Sequence, residues 1–501
     1  MSPADVSAGV DSLLRRLLAV APYLSPGVAL PAPPSAGTVL ATLSDDVALA
    51  PDAARVWLLA TAVAGGFPTQ AEVTDIQRGL RRGASGTALA AVLSGVARTA
   101  SAQRDDDLDV VVVTGATVVD VDFCATHVHN TGIQRVVRNT VPHWDREQHP
   151  TLVAWSSDVT GYRALTPQQR ELVVSWTSET PAATDQPDRV LVIPWRGTIV
   201  LPEVPARELL ERQAAIARFS GNRVVLVGYD AIPVVSADSV VDEESDRFAH
   251  YLEVVKYSSL VACISETTAE EFEGFVSALP AQGLVGPRVS AVMLPVDAAS
   301  ADHAVPSTGR TQPLVLMVGS VEPRKNQRGV LSAAQLLWNE GLSFELLVIG
   351  GGHSWYLEQF DREVRRMQRE GRSVRIGRRV PDSVLSQAYA DARVVVFPSL
   401  QEGYGLPVAE ALATGTPVVT TRYGSTAEIA KDGGCLLVDP RDDDDIAAKL
   451  RTVLTDDAVH ARLVAEAHAR TNATWADYAA SLWVDIHEAD ADVADVHEAR
   501  A

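Results

Sequence analysis

FPSLQEGYGLPVAEALATGTPVVTT, residues 397–421, carries the pattern that decides the fold. The β-branched run ending at Phe397 predicts a buried strand, and Gly403 and Gly405 mark the loop that leaves it. Pro407 stands where the first turn of a helix tolerates proline, and Gly415 can end that helix before a second strand, TPVVTT. Strand, glycine loop, helix and strand in this order describe a βαβ unit of a parallel sheet. Ligands of such sheets bind where loops leave the carboxyl ends of the strands, and the amide groups of a helix start there suit a phosphate. Glu402 lies in the loop and Glu410 in the first turns of the helix, so two carboxylates approach one crevice from different elements. A carboxylate accepts two hydroxyl hydrogen bonds, as a ribose or a sugar ring would offer.

A second segment repeats the arrangement. In MVGSVEPRKNQRGVLSAAQLL, from Met317, a strand runs out at Gly319 and a helix opens after Asn326, which puts Arg324 and Lys325 at the helix entry. Lysine occurs only at 256, 325, 431 and 449, with arginine supplying every other cation, so a lysine in this loop points to a specific task. Two cations there would neutralise a diphosphate and stabilise its departure.

Outward from these segments the chain alternates strand-like and helical stretches in two blocks. The expected organisation is a helical accessory region over 1–107, an N-terminal α/β domain over 108–297, a C-terminal α/β domain over 313–473, a terminal helix over 474–489 and a disordered tail over 490–501. The fold class is therefore α/β, two doubly wound domains facing across a cleft, with a small helical region in front. Small polar residues over 297–312 mark the linker and one hinge of a cleft that closes over its ligand. The first 107 residues are expected to be separable from ligand binding, because the composition shifts at 102–107.

The 501 residues are long for one core, and 47% hydrophobic with 21% charged residues is ordinary globular composition. A net charge of −21 excludes nucleic acid as a partner held by bulk electrostatics. Three widely spaced cysteines, Cys124, Cys263 and Cys435, indicate neither a disulfide framework nor a zinc site. No apolar run reaches membrane-helix length and the opening residues lack signal-peptide character, so a cytoplasmic protein is expected, with any membrane contact peripheral. Asp120-Val121-Asp122 has the shape of a metal-binding pair, but it reads as part of the first strand and no metal is expected; Asp442 to Asp445 read as an acidic first helical turn.

With Glu402 and Glu410 set in FPSxxEGYGLPVAEALAxGxPVV, and with the EPRKN loop, the chain resembles the retaining family-four, or group 1, glycosyltransferases of the GT-B fold. The resemblance implies transfer of a sugar from a GDP- or UDP-linked donor to a hydroxyl of a glycan, lipid-linked or other acceptor, in polysaccharide or glycoconjugate synthesis. No separate cofactor is implied, since the nucleotide sugar is a substrate. Glu410 would bind the ribose and Glu402 the donor sugar; Gly319, Arg324, Lys325, Gly405 and Leu406 would hold the diphosphate. Val380, with Arg379, would border the base. Arg324, Lys325 and Glu402 would carry the catalysis. Other members carry an arginine directly after the first glycine, where this chain has Ser320.

HVHNTGIQRVVRN, from His127, resembles the first-strand loop of the family, which makes Gly132 and Arg135 acceptor-side candidates and gives Arg135 an anionic acceptor group to bind. VGYDAIPVV adds Tyr229 and Asp230 as acceptor-side candidates, with Tyr229 standing where many relatives have a histidine that touches the donor sugar. That departure keeps open a nucleotide-sugar-binding scaffold with impaired catalysis. A nucleotide-sugar epimerase fits the loop around Glu402 poorly.

Overall fold

The computed structural model describes residues 3–82, 88–102, 107–176, 189–295, 310–352, 354–471 and 473–498. Two sheets organise the chain. The first contains, among the described residues, β1 (Asp109–Thr114), β2 (Thr117–Asp120), β3 (Thr151–Trp155), β4 (Tyr162–Ala164), β5 (Val190–Trp195), β6 (Thr198–Leu201), β7 (Arg223–Gly228), β8 (Leu260–Cys263) and β9 (Arg288–Ala291), in the order β1-β5-β4-β3-β2-β6-β7-β8-β9. Its pairings are parallel except where β4 runs antiparallel to β3 and β5.

The second sheet holds β10 (Leu314–Val318), β11 (Glu345–Ile349), β12 (Val374–Gly377), β13 (Val394–Phe397), β14 (Val418–Thr421) and β15 (Cys435–Val438), all parallel, in the order β12-β11-β10-β13-β14-β15. These strands are short apolar runs because both faces are covered by helices. β10 and β13 are neighbours, so the loops after Val318 and Phe397 leave the same sheet edge side by side. The architecture is the expected one: two doubly wound domains and a helical N-terminus.

Three findings qualify the sequence reading. Asp120 and Asp122 do not share a strand: Asp120 ends β2, and Asp122 opens the helix Asp122–Thr126 after a turn at Gly115 has split the first apolar stretch into β1 and β2. The terminal helix runs as Trp475–Glu498 rather than giving way to a tail at 490; ADADVADVHE holds no proline or glycine and is rich in alanine, so nothing local stops it. Residues 499–501 and most of the expected linker, 296–309, lie outside the described residues.

The N-terminal helices also share a core with the first sheet. Trp57, Phe67, Trp155 and Tyr162 pack ring against ring, with Phe67 stacked on Trp57 at 5.3 Å and edge-on to Tyr162 at 5.2 Å. The backbone N–H of Phe67 donates to the Thr160 carbonyl at 2.7 Å. The region is thus built into the neighbouring domain and is not separable in packing, a long-range fact that a composition shift does not carry. The terminal helix returns to the first domain, where the Trp144 indole donates to the Ala479 carbonyl at 2.8 Å and Arg288 pairs with Asp485 at 2.7 Å.

Candidate functional site

The loop after β10 and the loop after β13 are tied together before any side chain is considered. Leu400 N–H donates to the Arg324 carbonyl at 2.7 Å. Pro323 to Lys325 form a single tight turn, and Asn326 takes a left-handed conformation (φ 57°) that redirects the chain into the helix Gln327–Asn339. Arg324 and Lys325 therefore point into the crevice that Glu402 enters from the other loop.

Lys325 Nζ donates to both oxygens of Glu402, at 2.6 and 2.8 Å, and Arg324 lies 3.1 Å from Glu402 Oε2. Ser399 donates to Oε1 at 2.6 Å, and Lys325 also stands 5.1 Å above the Phe397 ring. Burial alone would raise the Glu402 carboxyl, but the two cations outweigh it and hold the group below its usual range. Burial depresses the Lys325 ammonium, partly offset by Glu402. Asp230, after β7 of the other domain, is half-buried near Arg324, and desolvation raises its carboxyl. Both cations and two of the candidate carboxylates thus meet in one cluster.

Glu410 forms a second cluster. It accepts from the Tyr389 hydroxyl at 2.7 Å and is paired with Arg135, which reaches across from the helix Gly132–Glu147 of the first domain. Arg135 therefore faces a protein carboxylate and not an open anion site, which corrects its expected role. Gly132 approaches the donor-side helix Leu406–Ala413 closely: a Cβ there would stand 3.7 Å from Leu406 Cδ1. Gly405 opens that helix with φ 112°, a conformation that favours glycine. Val380 lines a cavity of about 550 Å³ with Ile349 and Gly377, under the helix Asp382–Asp391 that carries Tyr389. Gly319 follows β10 with φ 142° at the same sheet edge.

Tyr229 does not present its side chain to the cleft. Its ring is buried and its hydroxyl donates to the Pro202 carbonyl at 2.7 Å, because an apolar ring at this strand end finds more contact in the core. Only its backbone faces the cleft, where a Cβ on Gly403 would collide with the Tyr229 carbonyl oxygen. The Gly403 carbonyl in turn accepts from Ser265 at 2.7 Å and Thr268 at 3.0 Å. The sequence reading missed Ser399, Phe397 and Tyr389 as members of the site; Ser399 and Phe397 lie inside the deciding stretch, whereas Tyr389 has no local signal. Among the described residues no group of three or more histidine, cysteine, aspartate or glutamate side chains has the geometry to hold a metal.

Two facing doubly wound domains, with a cationic pair and two glutamates at the C-terminal strand edge of the second, define the class of GT-B glycosyltransferase folds. Residues 300–470 match the family described as glycosyl transferases group 1. It is 42% identical over 147 residues to the O-antigen chain mannosyltransferase B of Escherichia coli, covering 29% of this chain and 38% of the relative. Over a longer stretch of 333 residues it is 24% identical to the serotype-specific mannosyltransferase WbdA of Escherichia coli, covering 63% of this chain and 40% of the relative. The chain thus spans about two fifths of the length of these curated relatives. A solved α,α-trehalose 6-phosphate synthase from Burkholderia multivorans shares the fold at a TM-score of 0.51, with 14% identity, over 76% of this chain and all of that one. Among the described residues no helix is long and apolar enough to cross a membrane.

Proposed function

We propose that the protein is a retaining mannosyltransferase that moves the sugar of a nucleotide-diphosphate donor to a glycan hydroxyl in surface-polysaccharide synthesis. The observation that carries this reading is the cluster of Arg324, Lys325 and Glu402 on two adjacent strand ends, beside a helix start. The choice of mannose is taken from the relatives, both named as mannosyltransferases and one as acting on an O-antigen chain.

In the ligand-free protein the four hydrogen-bonding positions of Glu402 are filled by Lys325 twice, by Arg324 and by Ser399. A diphosphate arriving at the crevice competes for the two cations. Their turn toward the phosphates releases Glu402 to accept the hydroxyls of the donor sugar, so phosphate and sugar binding reinforce one another. The bond from the anomeric carbon to the phosphate oxygen then breaks while the acceptor oxygen bonds to the same face, and the acceptor proton passes to the departing phosphate. Arg324 and Lys325 stabilise the charge that develops there. With these cations in place, transfer is expected to proceed in the presence of a chelator. Glu410, freed from Arg135, is suited to the ribose hydroxyls, and the Val380 cavity to the base.

Released nucleoside diphosphate, measured over a panel of GDP and UDP sugars with a mannoside acceptor, tests the reading. Acceptor-dependent release of GDP from GDP-mannose is expected. Binding of a nucleotide sugar without turnover of any donor in the panel would replace the enzyme by a binding scaffold.

A further inference from the structure

A cavity of about 460 Å³ opens at the C-terminal edge of the first sheet, between the end of β2, the loop leading to Gly132 and the segment after β6. Four carboxylates, Asp120, Asp122, Glu203 and Glu208, line it against one guanidinium, Arg247. Asp120 accepts from the Trp155 indole at 2.9 Å and from Gln213 Nε2 at 3.1 Å, and Glu203 accepts the backbone N–H groups of Phe123 and Cys124 at 2.8 Å each. Gln213 is different. It is 2% exposed and lines the cavity, yet its Oε1 has no hydrogen-bond partner. A buried amide oxygen left bare is destabilising, a penalty that a bound hydroxyl removes. The buried Tyr162 hydroxyl lies beside Asp120 and Gln213. Burial, reinforced by the neighbouring carboxylates, pushes Asp120 up to about 8 and Glu203 up to about 7, so these acids hold protons near neutrality and offer both donors and acceptors.

We infer that this cavity binds the acceptor as an uncharged polyol ring, the terminal sugar of a glycan, and discriminates against an acceptor recognised through a phosphate. The inference rests on the glycosyltransferase reading given above and names its acceptor class. A phosphate ester placed here meets four acidic groups and one guanidinium, whereas ring hydroxyls match a wall that both donates and accepts. The volume admits a sugar ring, and the loop of His127 and Gln134 is common to the cavity wall and to the approach of Gly132 to Leu406, so a bound ring lies beside the donor crevice.

Saturation-transfer NMR on the full chain without donor, with methyl α-mannopyranoside and mannose 6-phosphate as probes, tests the assignment, while calorimetric titration of GDP follows the donor site separately. The methyl glycoside is expected to bind and the phosphate ester to bind at least about tenfold more weakly, a difference near 1.4 kcal/mol. Gln213→Leu should weaken the glycoside about fivefold with GDP affinity retained. Glu208→Arg, at an exposed position, should narrow the discrimination. The inference is overturned if the phosphate ester binds as well as the glycoside, if the glycoside does not bind, or if both variants leave the discrimination unchanged. Loss of GDP binding with glycoside binding intact would count against the donor reading alone.

Discussion

Glu402 and Glu410 come from one stretch of sequence and face different chemistry. Glu402 sits between two cations, and Glu410 accepts from the Tyr389 hydroxyl and pairs with Arg135. Glu402→Ala should therefore lower kcat by about 10²-fold with a smaller effect on GDP affinity, while Glu410→Ala should weaken GDP about tenfold. Calorimetry and initial rates on both variants separate the two roles, and equal GDP affinity in wild type and Glu410→Ala contradicts the ribose assignment. Asp120 gives a prediction of another kind. Its folded value of about 8 lies above its ordinary value of 3.8, so between these the folded chain keeps a proton that the unfolded chain has released. The stability due to this group is complete below the lower value and is lost as pH rises through the upper one; Glu203 behaves alike up to about 7. Thermal melts from about pH 6 to about pH 9 should show Tm falling with rising pH, and Asp120→Asn should make the fall shallower. An identical slope in the variant would mean that Asp120 is ionised in the folded protein.

At the scale of elements, the helices of the first hundred residues and the first sheet stand on one aromatic cluster. Phe67 touches Trp57, Trp155 and Tyr162, and Phe67→Ala should cost about 3–5 kcal/mol in urea unfolding followed by tryptophan fluorescence. A cost within the error of the method would show that the helical region folds independently. This cluster is where sequence reading ran short. The strands at Thr151, Val190, Val224, Leu260, Leu314, Glu345, Arg393 and Thr416 were legible because each is a β-branched run bounded by turn residues, and the helix at Gly132 because its apolar period begins there. Strands such as β4 (YRA) and β9 (RVSA) escaped, since neither is a continuous apolar run. The cationic pair and both glutamates were legible from local motifs at two adjacent strand ends. The pairing of Arg135 with Glu410 was not, because 275 residues separate the partners and no local pattern encodes a contact made by two domains meeting.

For the whole molecule, hydrogen bonds between the two domains bridge the cleft. Glu428 of the second domain accepts from Glu266 N–H at 3.0 Å and Thr267 N–H at 2.7 Å, at the start of a helix of the first domain, and the Gly403 carbonyl accepts from Ser265 and Thr268 nearby. A donor must therefore enter by loosening contacts that already exist, and closure over it restores them and excludes water. Glu428→Ala should enlarge the radius of gyration of the free protein in small-angle scattering, and saturating GDP should reduce it again. A radius equal to that of the wild type would place the restraint in the other bridging contacts.

The central claim is that this cleft transfers a sugar with retention from a nucleotide donor. Proton NMR of the product formed from GDP-mannose, whose mannosyl bond is α, tests it most directly. The account predicts an α-mannoside with one GDP released for each bond formed; a β-mannoside, or no mannoside at all from a protein shown to bind GDP, would contradict it.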